Sequence, residues 1–252
     1  MLVAEDGAVI TFAHLSDLHI DGGSRNSART AQAVAYLAGL PAPVDAVLVT
    51  GDLTEAGRPV DYAMVLDLVA PLTVPVLFCP GNHDSRQAFR AGLLGLDGHG
   101  PANQAVEVAG ASFLLCDSVV PGSPDGLLDE ETLAWLDSAL AGPAEKPAFV
   151  ALHHPPVALG IPELDVMRLS NPDALAEVLS GHPRVAGVFC GHAHTGAAST
   201  FAGLPVLVAP GVKSTTLLPW EHVDSETAYD LPVGLAFHLY TDGVLTTHFR
   251  AL

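Results

Sequence analysis

Short apolar runs alternate along the chain with segments whose apolar positions recur at helical spacing, the pattern of an α/β protein. Ala8 to His14 reads as a first strand, followed by a helix from Ser27 to Leu40 and a buried strand over the DAVLVT run, Asp45 to Thr50. Pro59 to Val69 is helical in pattern, Val74 to Cys79 is a third strand, and Ser85 is placed to cap a further helix. Ala105 to Val108 and Ala111 to Cys116 flank Ala109-Gly110 as a hairpin. A helix from Asp129 to Leu140 follows, then strands at Phe149 to Leu152 and Val185 to Cys190 with a helix from Pro172 to Leu179 between them. Beyond residue 196 the pattern is all strand: Leu204 to Ala209, Gly234 to Tyr240 and Val244 to Phe249, the last two joined at Thr241-Asp242-Gly243. One domain over residues 1–252, with two sheets and helices outside them, accommodates these elements without a linker or repeat.

Composition narrows the class. Of the 252 residues, 49% are hydrophobic and 15% charged, which excludes intrinsic disorder and supports a core large enough to bury a polar site. Ten Lys and Arg against 28 Asp and Glu give a net charge of -18, so nucleic-acid polymers and anionic membranes are poor partners. No apolar stretch approaches the roughly 18 residues that a membrane helix needs. Glu5 and Asp6 stand where a secretory signal would carry basic residues, so a cytoplasmic location is expected. Cys79, Cys116 and Cys190 lie in apolar segments without a C-x-x-C spacing and read as buried thiols.

The polar residues that interrupt the apolar pattern recur at one place, directly after a strand, where α/β sheets put ligands. Asp17 and His19 follow the first strand, Gly51-Asp52 the second, Gly81-Asn82-His83-Asp84 the third, and His153-His154 and Gly191-His192-Ala193-His194 two later ones. These oxygen and nitrogen donors suit first-row metal ions, and there are too many for one catalytic ion with an open position. Seven ligands fit two ions sharing one carboxylate, the arrangement that clamps both oxygens of an in-line displacement at phosphorus. Two divalent ions, two aspartates and a shared hydroxide leave a net positive site that attracts an anion even on an acidic protein.

The ordered blocks D-x-H, G-D, G-N-H-D, H and G-H-x-H, spread over residues 12 to 194, resemble the calcineurin-like metallophosphoesterase superfamily. Three stretches are most similar to the class III bacterial 3',5'-cyclic nucleotide phosphodiesterases: CDSVVPGSPDG with LLDEETLAWLDSAL (116 to 140), ALHHPPVALGIPELD (151 to 165) and VFCGHAHTGAASTFAGLPVLVAPGV (188 to 212). The resemblance implies a four-layer αββα sandwich of two mixed sheets flanked by helices. It implies hydrolysis of a small phosphodiester such as cyclic AMP, with glycerophosphodiesters or 2',3'-cyclic nucleotides as the alternative substrates and a non-catalytic interaction module as the remaining one. By the same resemblance, Asp17, His19, Asp52 and His194 hold one ion, and Asp52 bridges to a second held by Asn82, His153 and His192. Iron with manganese is the implied pair, zinc or another divalent first-row ion the substitute, and a homodimer the implied assembly. His83 is left free of metal as the general acid or phosphoryl donor, with Asp84 orienting it. Asn82, His83, His154 and His194 are the expected substrate contacts, His154 lining the pocket or backing the ligands.

Other features read more blandly. His14, His99, His182, His222, His238 and His248 have no motif context and are expected on the surface or satisfied in the core. Arg25 and Arg58, each soon after a motif block, read as loop arginines before phosphate contacts. Gly51, Gly81 and Gly191 are expected to let backbone pass close to the ions. Trp220 and His222 are placed to cap a base or to pack in an exposed loop. The Pro-rich run from Pro155 to Pro162 reads either as loop stiffening or as a pocket wall. Asp125, Asp129, Glu130 and Glu131 are expected to cap a helix. Lys213-Ser214-Thr215-Thr216 and Thr195 depart from the family pattern near where the organic part of a substrate is received.

Overall fold

The computed structural model describes residues 9–143, 145–221 and 225–252, so Ala8, Glu5, Asp6 and His222 lie outside the described residues. Parallel strands β1 (Ile10–Leu15), β2 (Ala46–Thr50) and β3 (Val76–Cys79) form one sheet with the antiparallel β12 (Gly234–Thr241) and β13 (Val244–Ala251), in the order β13-β12-β1-β2-β3. The second sheet has six strands: β4 (Gln104–Val108), β5 (Ala111–Leu115), β6 (Ala148–Ala151), β7 (Val185–Cys190), β8 (Ala197–Phe201) and β9 (Leu204–Val208). Their order is β4-β5-β6-β7-β9-β8, with β5, β6, β7 and β9 parallel and antiparallel strands at both edges. A two-stranded ribbon, β10 (Thr215–Thr216) with β11 (Thr227–Ala228), stands apart from both.

Period-two patterning decides which way each strand faces. Phe12, Leu48 and Leu77 of the first sheet meet Phe113, Phe149 and Phe189 of the second in a core between the sheets. Ring centroids of Phe12 lie 5.1 Å from those of Phe113, Phe149 and Phe189, and each buried phenyl contributes about 1.5–3 kcal/mol. The alternate residues Ala13, Val47, Val49 and Phe78 face outward, under helices α1 (Ser24–Ala38) and α2 (Pro59–Val69). On the far side, Leu114, Val150 and Val188 meet Leu136 and Leu140 of α4 (Glu130–Leu140) and Leu175 and Leu179 of α6 (Pro172–Ser180). Three apolar layers between four polar-faced ones give the expected αββα sandwich. The remaining helices are single turns, α3 (Arg86–Phe89), which runs on into a π turn at Arg90–Leu94, and α5 (Pro162–Asp165).

Local chemistry explains the boundaries. Asp129 caps α4, accepting from the Thr132 N–H at 2.8 Å, with Glu130 and Glu131 in the positive first turn. Ser85 caps α3 as anticipated. Strands β8, β10 and β11 were not anticipated: β8 is built of small residues, and β10 and β11 are two residues each. No helix of the described residues is long and apolar enough to cross a membrane. The three cysteines are free and buried. His14 and His238 lie inside the inter-sheet core, bonded to each other at 3.2 Å and to Thr50 and Thr247 at 2.8 Å.

Candidate metal centre

All parallel strands deliver their carboxyl ends to one rim of the sandwich, and the motif residues sit on the turns that leave them. Backbone bonds knit these turns together across the strands: Asp17 N–H donates to the Gly51 carbonyl at 3.1 Å, His19 N–H to the Asp52 carbonyl at 2.9 Å and Gly191 N–H to the His153 carbonyl at 3.0 Å. Asp17, His19, Asp52, His192 and His194 all have positive φ, between 47° and 69°. Left-handed backbone is costly for residues with a Cβ, about 1–3 kcal/mol each, and such strain concentrates at functional sites. The other non-glycine residues of positive φ, Ala109, Ala202 and Asp242, precede glycine in two-residue hairpin turns, where that conformation is required. Gly51, at φ +88°, admits no side chain, because a Cβ there would collide with the His153 ring; one on Gly81 would collide with the Asp52 carboxylate.

The side chains converge in two groups. His19 Nε2 lies 3.1 Å from His194 Nε2 and 3.3 Å from Asp52 Oδ2, while His194 Nε2 is 3.6 Å from Asp17 Oδ1. Ligand atoms of these four residues all fall within 4.8 Å of one another. The other oxygen of Asp52, Oδ1, lies 3.4 Å from His153 Nε2, which is 3.2 Å from Asn82 Oδ1. His192 stacks edge-on against His153, ring centroids 5.1 Å apart. Each Nδ1 of the other three imidazoles is engaged: His19 with Glu55 Oε2 at 3.0 Å, His153 with the Thr50 carbonyl at 2.7 Å, His194 with Ser214 Oγ at 3.0 Å. Carbonyl and carboxylate oxygens only accept, so His19 and His153 carry a proton on Nδ1 and aim Nε2 inward.

These donors fit cations. Asp17 Oδ2 and His192 Nε2 are buried without any hydrogen-bond partner, an expensive arrangement for a polar atom unless a metal ion is its partner. The field has the same sign. Burial raises Asp17 to about 6. Although burial opposes both changes, the His153–Asp52 attraction holds Asp52 well below the usual carboxylate range and pushes His153 up to about 9. Burial, aided by the charge of His153, takes His192 down to about 3, while burial takes His194 to about 4. The site thus draws positive charge inward while keeping two imidazoles neutral. A set of Asp, His and Asn donors without thiolate suits a two-ion centre.

Two expectations need correction. Asp84 does not touch the His83 ring. Its buried carboxylate accepts from Gly81 N–H at 2.9 Å, Leu53 N–H at 3.1 Å, Thr54 N–H at 3.2 Å and the Tyr62 hydroxyl at 3.1 Å, so it ties the second motif turn to the third. The His83 ring is set by the Glu55 carbonyl, 3.0 Å from Nδ1. His154 is not a substrate contact and does not line the cavity; it backs the ligands as the other half of the expectation had it, fully buried with its ring centroid 4.9 Å from that of His153 and 4.8 Å from that of His192, Nδ1 2.8 Å from Ser118 Oγ and Nε2 3.1 Å from the Pro124 carbonyl. Both nitrogens are spent on holding the loop that presents Pro124.

Asp52, Asn82, His83, His192 and His194 open onto a cavity of about 280 Å3, with His83 the most exposed of the histidines that line it. Residues that the motifs did not flag complete it: Pro124, Leu164, Met167, Thr227 and Tyr229, joined by Lys213, Ser214 and Thr216 of the atypical segment. The run from Pro155 to Pro162 stays off the cavity, while Leu164 and Met167 just beyond it line a wall. Trp220 is exposed and also off it. Arg58 bonds Asp61 and the Asp21 carbonyl, and Arg25 the carbonyls of Lys213 and Tyr229, so both serve structure. Glu55 was unanticipated: it bonds His19 and, at 2.6 Å, Lys213 Nζ.

Comparison with known proteins agrees with this geometry. The calcineurin-like phosphoesterase family profile matches residues 10–196. A glycerophosphodiester phosphodiesterase, GpdQ, of Enterobacter lignolyticus is 31% identical over 231 residues, covering 87% of this chain and 82% of its own length. A probable cyclic nucleotide phosphodiesterase of Rhodococcus erythropolis is 37% identical over 208 residues, covering 78% and 68%. Among solved structures, a dimetal phosphatase from Danio rerio superposes with a TM-score of 0.68 over 96% of this chain and 98% of its own, at 17% identity, a likeness of fold.

Proposed function

Because the chain belongs to the calcineurin-like phosphoesterase family, we propose that it hydrolyses small-molecule phosphodiesters, with 3',5'-cyclic nucleotides such as cyclic AMP as its substrate class. One observation carries the two-ion chemistry: the carboxylate of Asp52 is divided, Oδ2 3.3 Å from His19 and Oδ1 3.4 Å from His153, so each oxygen serves a different donor group. Asp17, His19, Asp52 and His194 would hold one ion and Asp52, Asn82, His153 and His192 the other. Bound ions would supply Lewis acidity and a water acidified to a pKa of about 7 for in-line attack at phosphorus. Iron with manganese is the pair that the family resemblance implies, and the donor set itself discriminates weakly among first-row ions.

The chain's own residues do the rest. Asn82 ligates without adding negative charge, so the centre stays electrophilic. His83, its Nδ1–H held by the Glu55 carbonyl, turns Nε2 toward the cavity. As imidazolium it donates the Nε2 proton to the departing sugar oxygen as the P–O bond breaks. Asp84 positions the turn that carries Asn82 and His83, and does not itself touch substrate.

Glycerophosphodiesters form the second reading, favoured by the relative that acts on them and that this chain matches over 82% of its length. The deciding experiment is metal analysis of purified protein paired with kcat/KM for cyclic AMP, a glycerophosphodiester and nitrophenyl phosphodiesters. Two ions per chain and at least a tenfold preference for cyclic AMP over the glycerophosphodiester are expected. A preference for the glycerophosphodiester would overturn the substrate class, and one ion or none the two-ion reading.

A further inference from the structure

Residues 212–221 and 225–231 lie over the candidate metal centre, paired through the ribbon β10–β11, and two arginines one turn apart on α1 fasten both limbs. Arg29 donates to the Val212 carbonyl at 2.6 Å and to the Leu231 carbonyl at 3.0 Å. Arg25 donates to the Lys213 carbonyl at 2.9 Å and to the Tyr229 carbonyl, and its guanidinium lies over the Tyr229 ring, 5.1 Å from the centroid. Tyr229 is therefore an aromatic side chain that is 53% exposed yet pinned by its main chain and by a cation on its ring, at the lining of the cavity that holds the metal donors.

The cavity's other surfaces say what such a ring receives. Pro124, Leu164 and Met167 are apolar, and Thr216 and Thr227 offer hydroxyls. Apolar contacts for flat faces and hydroxyls for polar edges suit a nucleobase, which aromatic rings bind by stacking. A cationic alcohol such as choline or ethanolamine would be received by an aromatic face or a carboxylate, but the Tyr229 ring already carries the Arg25 guanidinium, which repels a second cation. Among the described lining residues the only carboxylate is Asp52, which is committed to His19 and His153.

We propose that Tyr229, backed by Arg25, is a base-stacking platform that makes the enzyme selective for nucleoside phosphodiesters over diesters of simple alcohols. This rests on the phosphodiesterase reading above and adds the residue that selects the organic group. The test compares wild type with Tyr229→Ala and Tyr229→Phe on cyclic AMP and on trimethylene phosphate, a six-membered cyclic diester without sugar or base. The ratio of the two kcat/KM values should fall roughly 10- to 100-fold in Tyr229→Ala and stay near wild type in Tyr229→Phe, which keeps the ring.

An unchanged ratio in Tyr229→Ala, or an equal fall in both variants, overturns the platform while leaving the phosphodiesterase reading intact. Binding of adenosine, which has no phosphate to cleave, is measured in parallel by NMR titration. A loss of the same size is expected in Tyr229→Ala, and unaltered binding overturns stacking. Wild type that binds adenosine but cleaves neither cyclic diester would refute the activity and spare the platform. Melting temperatures within about 2 °C of wild type confirm that the exposed position tolerates both replacements.

Discussion

The ring of His83 makes one hydrogen bond, to a backbone carbonyl, beside a 3.8 Å approach to Glu55 Oε1 and an edge-on contact with His19, so removing it takes away mainly a proton donor. His83→Ala is expected to slow cyclic AMP hydrolysis by about 10²- to 10⁴-fold. It should slow a nitrophenyl diester far less, because that leaving group needs no proton. Equal losses on both substrates would show that His83 steadies phosphoryl oxygens instead. Asn82→Ala removes a donor 3.2 Å from His153 Nε2. It should drop metal content from two ions to one and weaken the second site by at least the 10- to 100-fold seen when an outer partner of a ligand is lost; equilibrium dialysis measures this, and two tightly held ions would refute the assignment. The seven donors were legible because each breaks an apolar pattern at a strand end. Glu55 was not, since nothing in the GDLTE spelling shows that its side chain folds back onto His19. Asp84 was misplaced, and His154 was read rightly as backing the ligands but wrongly as a substrate contact, because sequence proximity to a site does not fix where a side chain points.

At the level of strands and ribbons, the buried pair His14–His238 joins β1 to β12 across the register His14↔Ala236, inside a layer otherwise filled by phenyl rings. Burial lowers His14 to about 3 and takes His238 well below its ordinary value. In the unfolded chain both titrate near 6.5, so as the pH falls from there toward 3 the unfolded state gains protons that the native state refuses. Stability is then full above about pH 6.5 and declines below it by up to about 1.4 kcal/mol per pH unit for each histidine. Urea midpoints at pH 7 and pH 5 should differ more for wild type than for His14→Leu/His238→Leu; equal shifts would mean that the pair does not titrate as argued. The long elements were readable from periodicity alone. The ribbon β10–β11 was not, because two-residue strands carry no period and their position comes from Arg25 and Arg29 of a distant helix.

For the molecule as a whole, the strained turns of both sheets meet only at the metal donors. Five of those donors hold left-handed backbone, and the buried Asp17 Oδ2 and His192 Nε2 have no other partner. Ions that bind the folded chain alone stabilise it by about 2.7 kcal/mol at one hundred times their dissociation constant. Stripping them with a chelator should lower the melting temperature by roughly 5 to 10 °C, reversibly on re-addition, with far-ultraviolet circular dichroism unchanged. An identical melting curve after verified removal would contradict coupling between metal and fold. The layered architecture was legible because continuous apolar runs, buried on both faces, alternate with segments of helical period, whereas the way the two sheets align was not.

Division of the donors between the sheets also has a consequence for biosynthesis. Asp17, His19, Asp52 and Asn82 leave the ribosome early, on turns of β1, β2 and β3, but His153, His192 and His194 follow strands of the second sheet. With the ligands proposed above, a growing polypeptide carries four of the seven donors from residue 82 until residue 153 is made, and those four alone would not enclose an ion. Loading becomes the last step of maturation, after the second sheet has docked, when the cell's free metal pool rather than the order of synthesis decides which ions are kept.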